Sequence, residues 1–352
     1  MFKPGSTHPD PVAVESLCEG LAVMATRTAK IGPWRSGAFA SLASSGALAG
    51  FIPTDGGGTA ATEPAVLELL ASIAEHCLTT ALVLSQWASA CRIIAAGPAD
   101  LRAARLPPLA RGETPTTVGL SQLSTSHRHL AAPVLTASKS RDGWRLNGLC
   151  PWVTGGIACD TIVTGAMTDS GEQLFFVVPT TAAGLDIAPP MHLLALSGSL
   201  TSSVRFQSVE PANVIVPAAG GGVRAGGLAT TALAAGAARA SIAIVASEAG
   251  TRPELAPIVA SLRTEADDLS QRLAAAATHT IESADRDRLR AQANSLVVRA
   301  AQAALTAAKG AGFVVGHPAE RLMRESLFFL VWSCPQSVSS AVMCELAGLD
   351  AP

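Results

Sequence analysis

The chain has 352 residues, enough for several packed layers around a sizeable core. Its 25 Lys and Arg against 27 Asp and Glu leave a formal charge of −2, so no basic field exists to grip a phosphate backbone, which excludes nucleic-acid binding as the main task. With 49% apolar and 15% charged residues it is too apolar for disorder, and with 4% aromatics and no Tyr its apolar content is mostly small and aliphatic, which favours close-packed helices.

From Pro11 to Leu109 the pattern is helical. Val14, Leu17, Leu21 and Met24 recur at three- and four-residue steps, as do Val66, Leu69, Leu70 and Ile73. The run Phe51 to Gly58 interrupts this as a loop, and Thr62-Glu63-Pro64 opens the next helix, because proline fits a first turn. From Pro115 to Pro217 the period changes. Asp142-Gly143 signals a hairpin, and strand-like runs follow at Trp144–Asn147, Thr161–Thr164, Leu174–Val178 and Ser203–Phe206. Such short strands predict a small antiparallel barrel or sandwich. The glycine run Ala219–Gly227 reads as a junction, since no strand leads into it and no Lys-Ser/Thr follows.

The helical period returns from Leu228 to Lys309, broken near Gly250–Pro253 and Ser283–Asp285, and a last helix is expected over Pro318–Val331. The apolar stretch Leu228–Ala246 contains Arg239 and much Ala, Thr and Gly, and reads as a buried helix rather than a membrane span. Seven scattered cysteines form no C-x-x-C pair, which argues against a disulfide framework or thiolate zinc site. With no basic-then-apolar leader in Met1–Gly5, the expected location is cytoplasmic. The expected divisions are a helical domain over 1–114, a β domain over 115–218 and a C-terminal four-helix bundle over 219–352.

Four local motifs lie along this order. They are Gly50-Phe51-Ile52-Pro53 with Asp55-Gly56-Gly57; Leu106-Pro107-Pro108-Leu109-Ala110-Arg111-Gly112-Glu113; Trp144-Arg145-Leu146-Asn147-Gly148 with Pro151-Trp152-Val153-Thr154-Gly155-Gly156; and Gly310-Ala311-Gly312-Phe313 with Pro318–Glu325. Together they resemble the acyl-CoA dehydrogenase family of flavoproteins over nearly the whole chain. The resemblance implies a mainly α fold with a middle antiparallel β domain, FAD as cofactor (FMN as the alternative), and a homodimer or homotetramer whose second subunit completes the site. It also implies a small-molecule substrate, in the family a CoA thioester, with an electron-transfer partner or flavin reductase.

A flavin is a flat ring needing one covered face and hydrogen bonds along its polar edge. Trp152 can supply the wall and the Thr154 hydroxyl the edge contact, and the resemblance puts both beside the ring; the alternative is a core aromatic and an ordinary strand residue. Arg252 matches a family arginine that reaches the cofactor pyrophosphate across a subunit interface, and Gly310 and Gly312 match glycines that admit the dinucleotide; a solvated arginine and a helix C-cap are the alternatives. Leu120, Ser121 and Ser126 occupy the segment that contacts flavin and substrate in the family, but here it reads Gly119–His127 and lacks the family's glycine.

The expected catalytic carboxylate is also missing. Counting from Arg324 places Ser333 at the family's glutamate, and the other known location falls on Gly226. A serine without an activating partner is no base near neutral pH. Cys334 reads as a buried inert thiol, and Glu248, Glu265, Asp287 and Arg290 as solvated helix charges. His127 is a candidate acid or base, and its spacing from His129 alone does not make a metal site. Arg224 is a candidate for a substrate phosphate.

Three functions follow. The first is an FAD-dependent oxidoreductase acting on a CH–CH bond of an acyl thioester or related small molecule. The second is a monooxygenase using reduced flavin and oxygen, which needs no α-proton base. The third is a non-catalytic relative serving binding or assembly.

Overall fold

In the computed structural model, which describes residues 8–28, 37–124, 133–141, 143–217, 227–279 and 281–349, the chain runs helices, sheet, helices. The first block holds α1 (Pro11–Thr28), α2 (Ala38–Ser44), α3 (Glu63–His76), α4 (Leu78–Ala95) and α5 (Ala99–Ala110). Thr62 holds the N-cap position of α3 without a side-chain capping bond, Pro64 sits in the first turn, and the stripe Val66, Leu69, Leu70, Ile73 is buried. Trp87 on α4 is fully buried, edge-on to Phe39 at 6.4 Å and Phe51 at 5.8 Å.

Two of the four motifs are packing devices that meet each other. A Cβ on Gly56 would lie 2.7 Å from Leu106 Cβ, and Gly57 adopts φ +82° against Pro107. The glycine loop is thereby pressed onto the Leu106-Pro107 turn of α5.

The middle block forms one eight-stranded sheet. Its strands are β1 (Thr116–Gly119), β2 (Leu135–Ser140), β3 (Gly143–Val153), β4 (Thr161–Thr168), β5 (Gln173–Pro179), β6 (Leu185–Ile187), β7 (Ser202–Val209) and β8 (Asn213–Ile215), with the short helix α6 (Ser121–Ser124) after β1. The order is β6-β7-β3-β2-β4-β5-β8, with β1 beside β4. The expected antiparallel pairing holds for most of it, but β1 and β2 each pair parallel to β4. The β2–β3 hairpin lies between β1 and β4 in sequence, and an intervening segment of that length is what a parallel return needs.

The last block contains α7 (Leu228–Ala249), α8 (Ala256–Thr278), α9 (Ser283–Gly312), α10 (Pro318–Ser326) and α11 (Gln336–Ala347). Helices α4 and α7 are long and apolar enough to cross a membrane, yet 67% and 72% of their apolar windows are buried inside the protein. A Cβ on Gly236 of α7 would sit 2.1 Å from the Ala71 carbonyl oxygen of α3, so these helices approach as closely as backbones can. Helices from both ends of the chain share one continuous core, and the sheet carries a second around Leu146, Phe176 and Phe206. The helix expected to end at Val331 stops at Ser326. A tighter turn, Leu327–Leu330, buries Phe329, whose carbonyl accepts from Asn294, and Pro335 then starts α11.

Candidate functional site

The three blocks meet around a cavity of about 1020 Å³. Its β-side rim begins at Gly119, where Thr164 Oγ1 donates to the Gly119 carbonyl at 2.7 Å and Gln122 Nε2 donates to the Gly165 carbonyl at 2.8 Å. Those bonds hold the turn that presents Leu120 and Ser121 to the cavity. The Trp152 backbone N–H donates to Ser121 Oγ at 3.2 Å, joining α6 to the end of β3. Cys150 lies beside this serine, and burial pushes its thiol up to about 11, so it stays protonated.

Trp152 is 48% exposed while lining this concave surface, and Thr154 lines it two residues on. Thr154 Oγ1 lies 3.2 Å from Thr201 Oγ1, which is 2.8 Å from Ser199 Oγ, and Thr117 Oγ1 donates to the Thr154 carbonyl at 2.7 Å. The hydroxyls form a short ladder along the rim. Leu196 and Leu200, on either side of the Ser197–Ser199 turn, hold φ of +64° and +52°, left-handed conformations that cost branched residues energy. Ser197 closes this loop on Leu193, and Arg324 of α10 donates to the Leu194 carbonyl at 2.9 Å, fixing the loop to the helices.

The helical rim is built differently. Phe328 and Trp332 both line the cavity and stack at 4.9 Å with a 17° interplanar angle. Ser333 also lines it, with φ +45°. Beneath them lies Arg290, which sequence reading assigned to a solvated face. It is fully buried, because it falls on the stripe shared by Ala293 and Val297. Its guanidinium sits over Phe329 at 5.6 Å and Trp332 at 6.0 Å and donates to the Trp332 carbonyl at 3.2 Å. Burial pulls its pKa down to about 10, and Nε and Nη1 have no hydrogen-bond partner among the described residues.

The other charges expected at the surface are partly exposed, and each has a partner. Asp287 accepts from Ser337 at 2.5 Å, Glu265 pairs with Arg299, and Glu248 pairs with Arg252 at 2.6 Å. Cys334 is half-buried rather than buried; its thiol is pushed up by burial and by Asp287 against the opposing pull of Arg290. On α10, Glu320 is held below the usual carboxylate range by the Arg324 guanidinium, whereas full burial pushes Glu325 up despite Arg321 at 3.1 Å.

The cavity thus brings together Leu120, Ser121, Trp152, Thr154 and Ser333. Arg252, Gly310 and Gly312 are not in its lining. Arg252 pairs with Glu248 and donates to the Ala307 carbonyl, so it lies beside the glycines at the far end of α9. Gly310 and Arg286, the α9 residue at the cavity, are separated by roughly 36 Å of helix. Lys309 breaks the helix there with φ +54°, and Phe313, Val314 and Val315 beyond it are exposed. Ser126, His127, His129, Arg224 and Gly226 lie outside the described residues. Among the described residues no cluster of three metal-ligating side chains occurs.

Sequence reasoning missed Arg286, Phe328, Trp332 and the Leu193–Thr201 loop. The period on α9 could have flagged its arginines, because positions 286, 290, 293 and 297 follow one helical face. The loop carries no such signal.

This architecture, with a cavity between two helical blocks and a sheet, is the acyl-CoA dehydrogenase fold. Butyryl-CoA dehydrogenase from Megasphaera elsdenii superposes with a TM-score of 0.82 at 18% identity, over 96% of either chain. Dibenzothiophene monooxygenase from a Paenibacillus species gives 0.72 at 17% identity, over 97% of this chain and 98% of that one. KijD3, in complex with FMN and a dTDP-linked amino sugar, gives 0.74 at 17% identity, over 99% and 97%. No protein-family model matches the sequence, and no curated protein matches it significantly.

Proposed function

We propose that this chain is a flavin-dependent oxidoreductase acting on a small organic molecule, with FAD held against Trp152. One observation carries this reading: a tryptophan left half-exposed inside a large, mainly apolar cavity, flanked by a hydroxyl ladder. Protein cores bury indoles, and a concave site that leaves one open has a flat apolar surface to cover. The residues fit a flavin. Trp152 offers a face, Thr154 and Ser121 offer hydroxyls at the ring's edge, and the volume leaves room for a second small molecule. A bound flavin would supply two-electron redox chemistry; the chain's own groups bind the ring, orient the substrate and exclude water. The three fold relatives support this reading, since their names include a dehydrogenase, a monooxygenase and an FMN complex.

Arg252, Gly310 and Gly312 then serve the cofactor tail of a second copy, and the exposed Phe313, Val314 and Val315 beside them fit a surface covered in an oligomer.

A second reading, oxygenation rather than dehydrogenation, is favoured by the carboxylates. Among the described lining residues the acid is Glu63, and it faces Arg92 at 3.3 Å. Segments 125–132 and 218–226 contain no Asp or Glu. Among the described lining residues and these two segments a substrate proton therefore meets no free carboxylate, with Ser333 at the position the resemblance implies.

Anaerobic titration of the flavin-loaded protein with short acyl thioesters separates these readings. Bleaching supports dehydrogenation. Absence of bleaching, with oxygen-dependent product formation once a reductase supplies electrons, supports oxygenation. Ser333→Glu should introduce thioester-dependent bleaching at least about 100-fold faster, the scale of a positioned general base. No gain in a folded, flavin-loaded variant would mean that the cavity does not take acyl thioesters.

A further inference from the structure

Four charged side chains line the described part of the cavity, and three of them are accounted for. Glu63 and Arg92 face each other at 3.3 Å, and Arg324 is fixed by Glu320 and the Leu194 carbonyl. The fourth, Arg286, has no side-chain hydrogen bond or ion pair among the described residues. The acids next to it in sequence are engaged elsewhere: Asp285 with Arg288 at 2.5 Å and Asp287 with Ser337 at 2.5 Å.

Arg286 stands in the first turn of α9, where the helix dipole adds to its positive charge. One turn deeper on the same face lies Arg290, a second guanidinium without a carboxylate partner, beneath Trp332. The nearby wall is apolar, built from Leu228, Phe328, Val331 and Trp332. In a cavity of this kind the few polar groups fix ligand orientation, and a planar fork of N–H donors matches an oxyanion.

We infer that the substrate of this cavity carries an oxyanion, a carboxylate or a phosphate, that pairs with Arg286 while its uncharged part lies on the apolar wall. The inference rests on the reading of this cavity as the substrate site and names the class of molecule it takes. Arg286 is a binding residue in this account and moves no proton.

The test is calorimetric titration of the protein as purified with glutarate, n-butyl phosphate and the neutral pentanamide, for the wild type, Arg286→Gln and Arg286→Lys. At least one oxyanion should bind the wild type more tightly than the amide. Arg286→Gln should weaken that oxyanion by about 10- to 100-fold, as a charge-assisted hydrogen bond requires, and leave the amide unchanged. Arg286→Lys should fall between, keeping the charge but losing the fork. Preference for glutarate assigns a carboxylate, and preference for butyl phosphate a phosphate-bearing substrate. Equal oxyanion affinity in a folded Arg286→Gln protein, or no oxyanion binding by the wild type, overturns the inference. Flavin absorbance, recorded on the same samples, keeps the two claims apart: a colourless protein whose oxyanion binding still depends on Arg286 fails the flavin reading and keeps this one.

Discussion

The two rims of the cavity are built on opposite principles. On the β side the Ser121 hydroxyl accepts from the Trp152 backbone, the Gly119 carbonyl accepts from Thr164, and the hydroxyls of Thr154, Thr201 and Ser199 are linked in series, leaving Trp152 as an open apolar face. On the helical side, among the described residues, the buried Arg290 keeps two nitrogens unpartnered and Arg286 has no counter-charge, and Ser333 holds a left-handed backbone. A hydrogen-bonded rim is a rigid surface suited to holding a flat group in one orientation. A rim with unmatched cations is suited to an anion that arrives. Under the proposed reading the first surface carries Trp152 and Thr154 for the flavin, and the second carries Ser333 where the resemblance implies a carboxylate.

Substitutions on each side sharpen that division. The largest effect is expected from Trp152→Ala. Because the indole is half-exposed, melting should change little, whereas losing roughly half of an aromatic contact area from the flavin should cost about 2 kcal/mol, some 30-fold in flavin affinity by equilibrium titration. A fall in melting temperature with unchanged flavin affinity would return Trp152 to the core.

Arg290 tests the opposite rim. Arg290→Met keeps apolar contact with Phe329 and Trp332 and removes two buried nitrogens that have no partner among the described residues, so denaturant unfolding should show a gain of about 1 kcal/mol. Arg290→Ala leaves a cavity and should lose about 2 kcal/mol. If both variants lose equally, the guanidinium is better satisfied than the geometry shows.

The smallest effect concerns the clip that joins the rims. Arg324 holds Glu320 below the ordinary carboxylate range, so the folded state binds fewer protons there than the unfolded chain. Its contribution is therefore present above the ordinary carboxylate pKa and is lost as pH falls through the lowered value. Glu320→Gln should cost about 1 kcal/mol at pH 7, and the gap from wild type should close towards acid in melts run across pH. A gap constant with pH would show that charge is not what Glu320 contributes.

The helical blocks were legible because their apolar stripes repeat cleanly, as at Val66–Ile73, and because Thr62 and Pro64 mark a start. Within the β block β3, β4, β5 and β7 show in the sequence as alternating or apolar runs; β2 has no run of its own that signals it beyond the hairpin turn after it, and β1, β6 and β8, three or four residues each, are too short to carry a period. The motifs split in a way that sequence cannot show. Gly56 and Gly57 against Leu106 and Pro107 serve packing, whereas Trp152 and Thr154 face a cavity. Arg290 was misplaced because arginine is usually solvated, and one buried arginine on an apolar stripe looks the same as its exposed neighbours until the helices pack. The Leu193–Thr201 loop owes its form to tertiary bonds through Ser197 and Arg324, which no local pattern announces.

A crystal structure of the protein as purified, at a resolution that shows ring orientation, tests the central claim most directly. This account predicts a tricyclic ring in the cavity with one face on the Trp152 indole and its polar edge towards Thr154 and Ser121. A cavity closed by Trp152 and the Leu193–Thr201 loop themselves, with no space for such a ring, would contradict it.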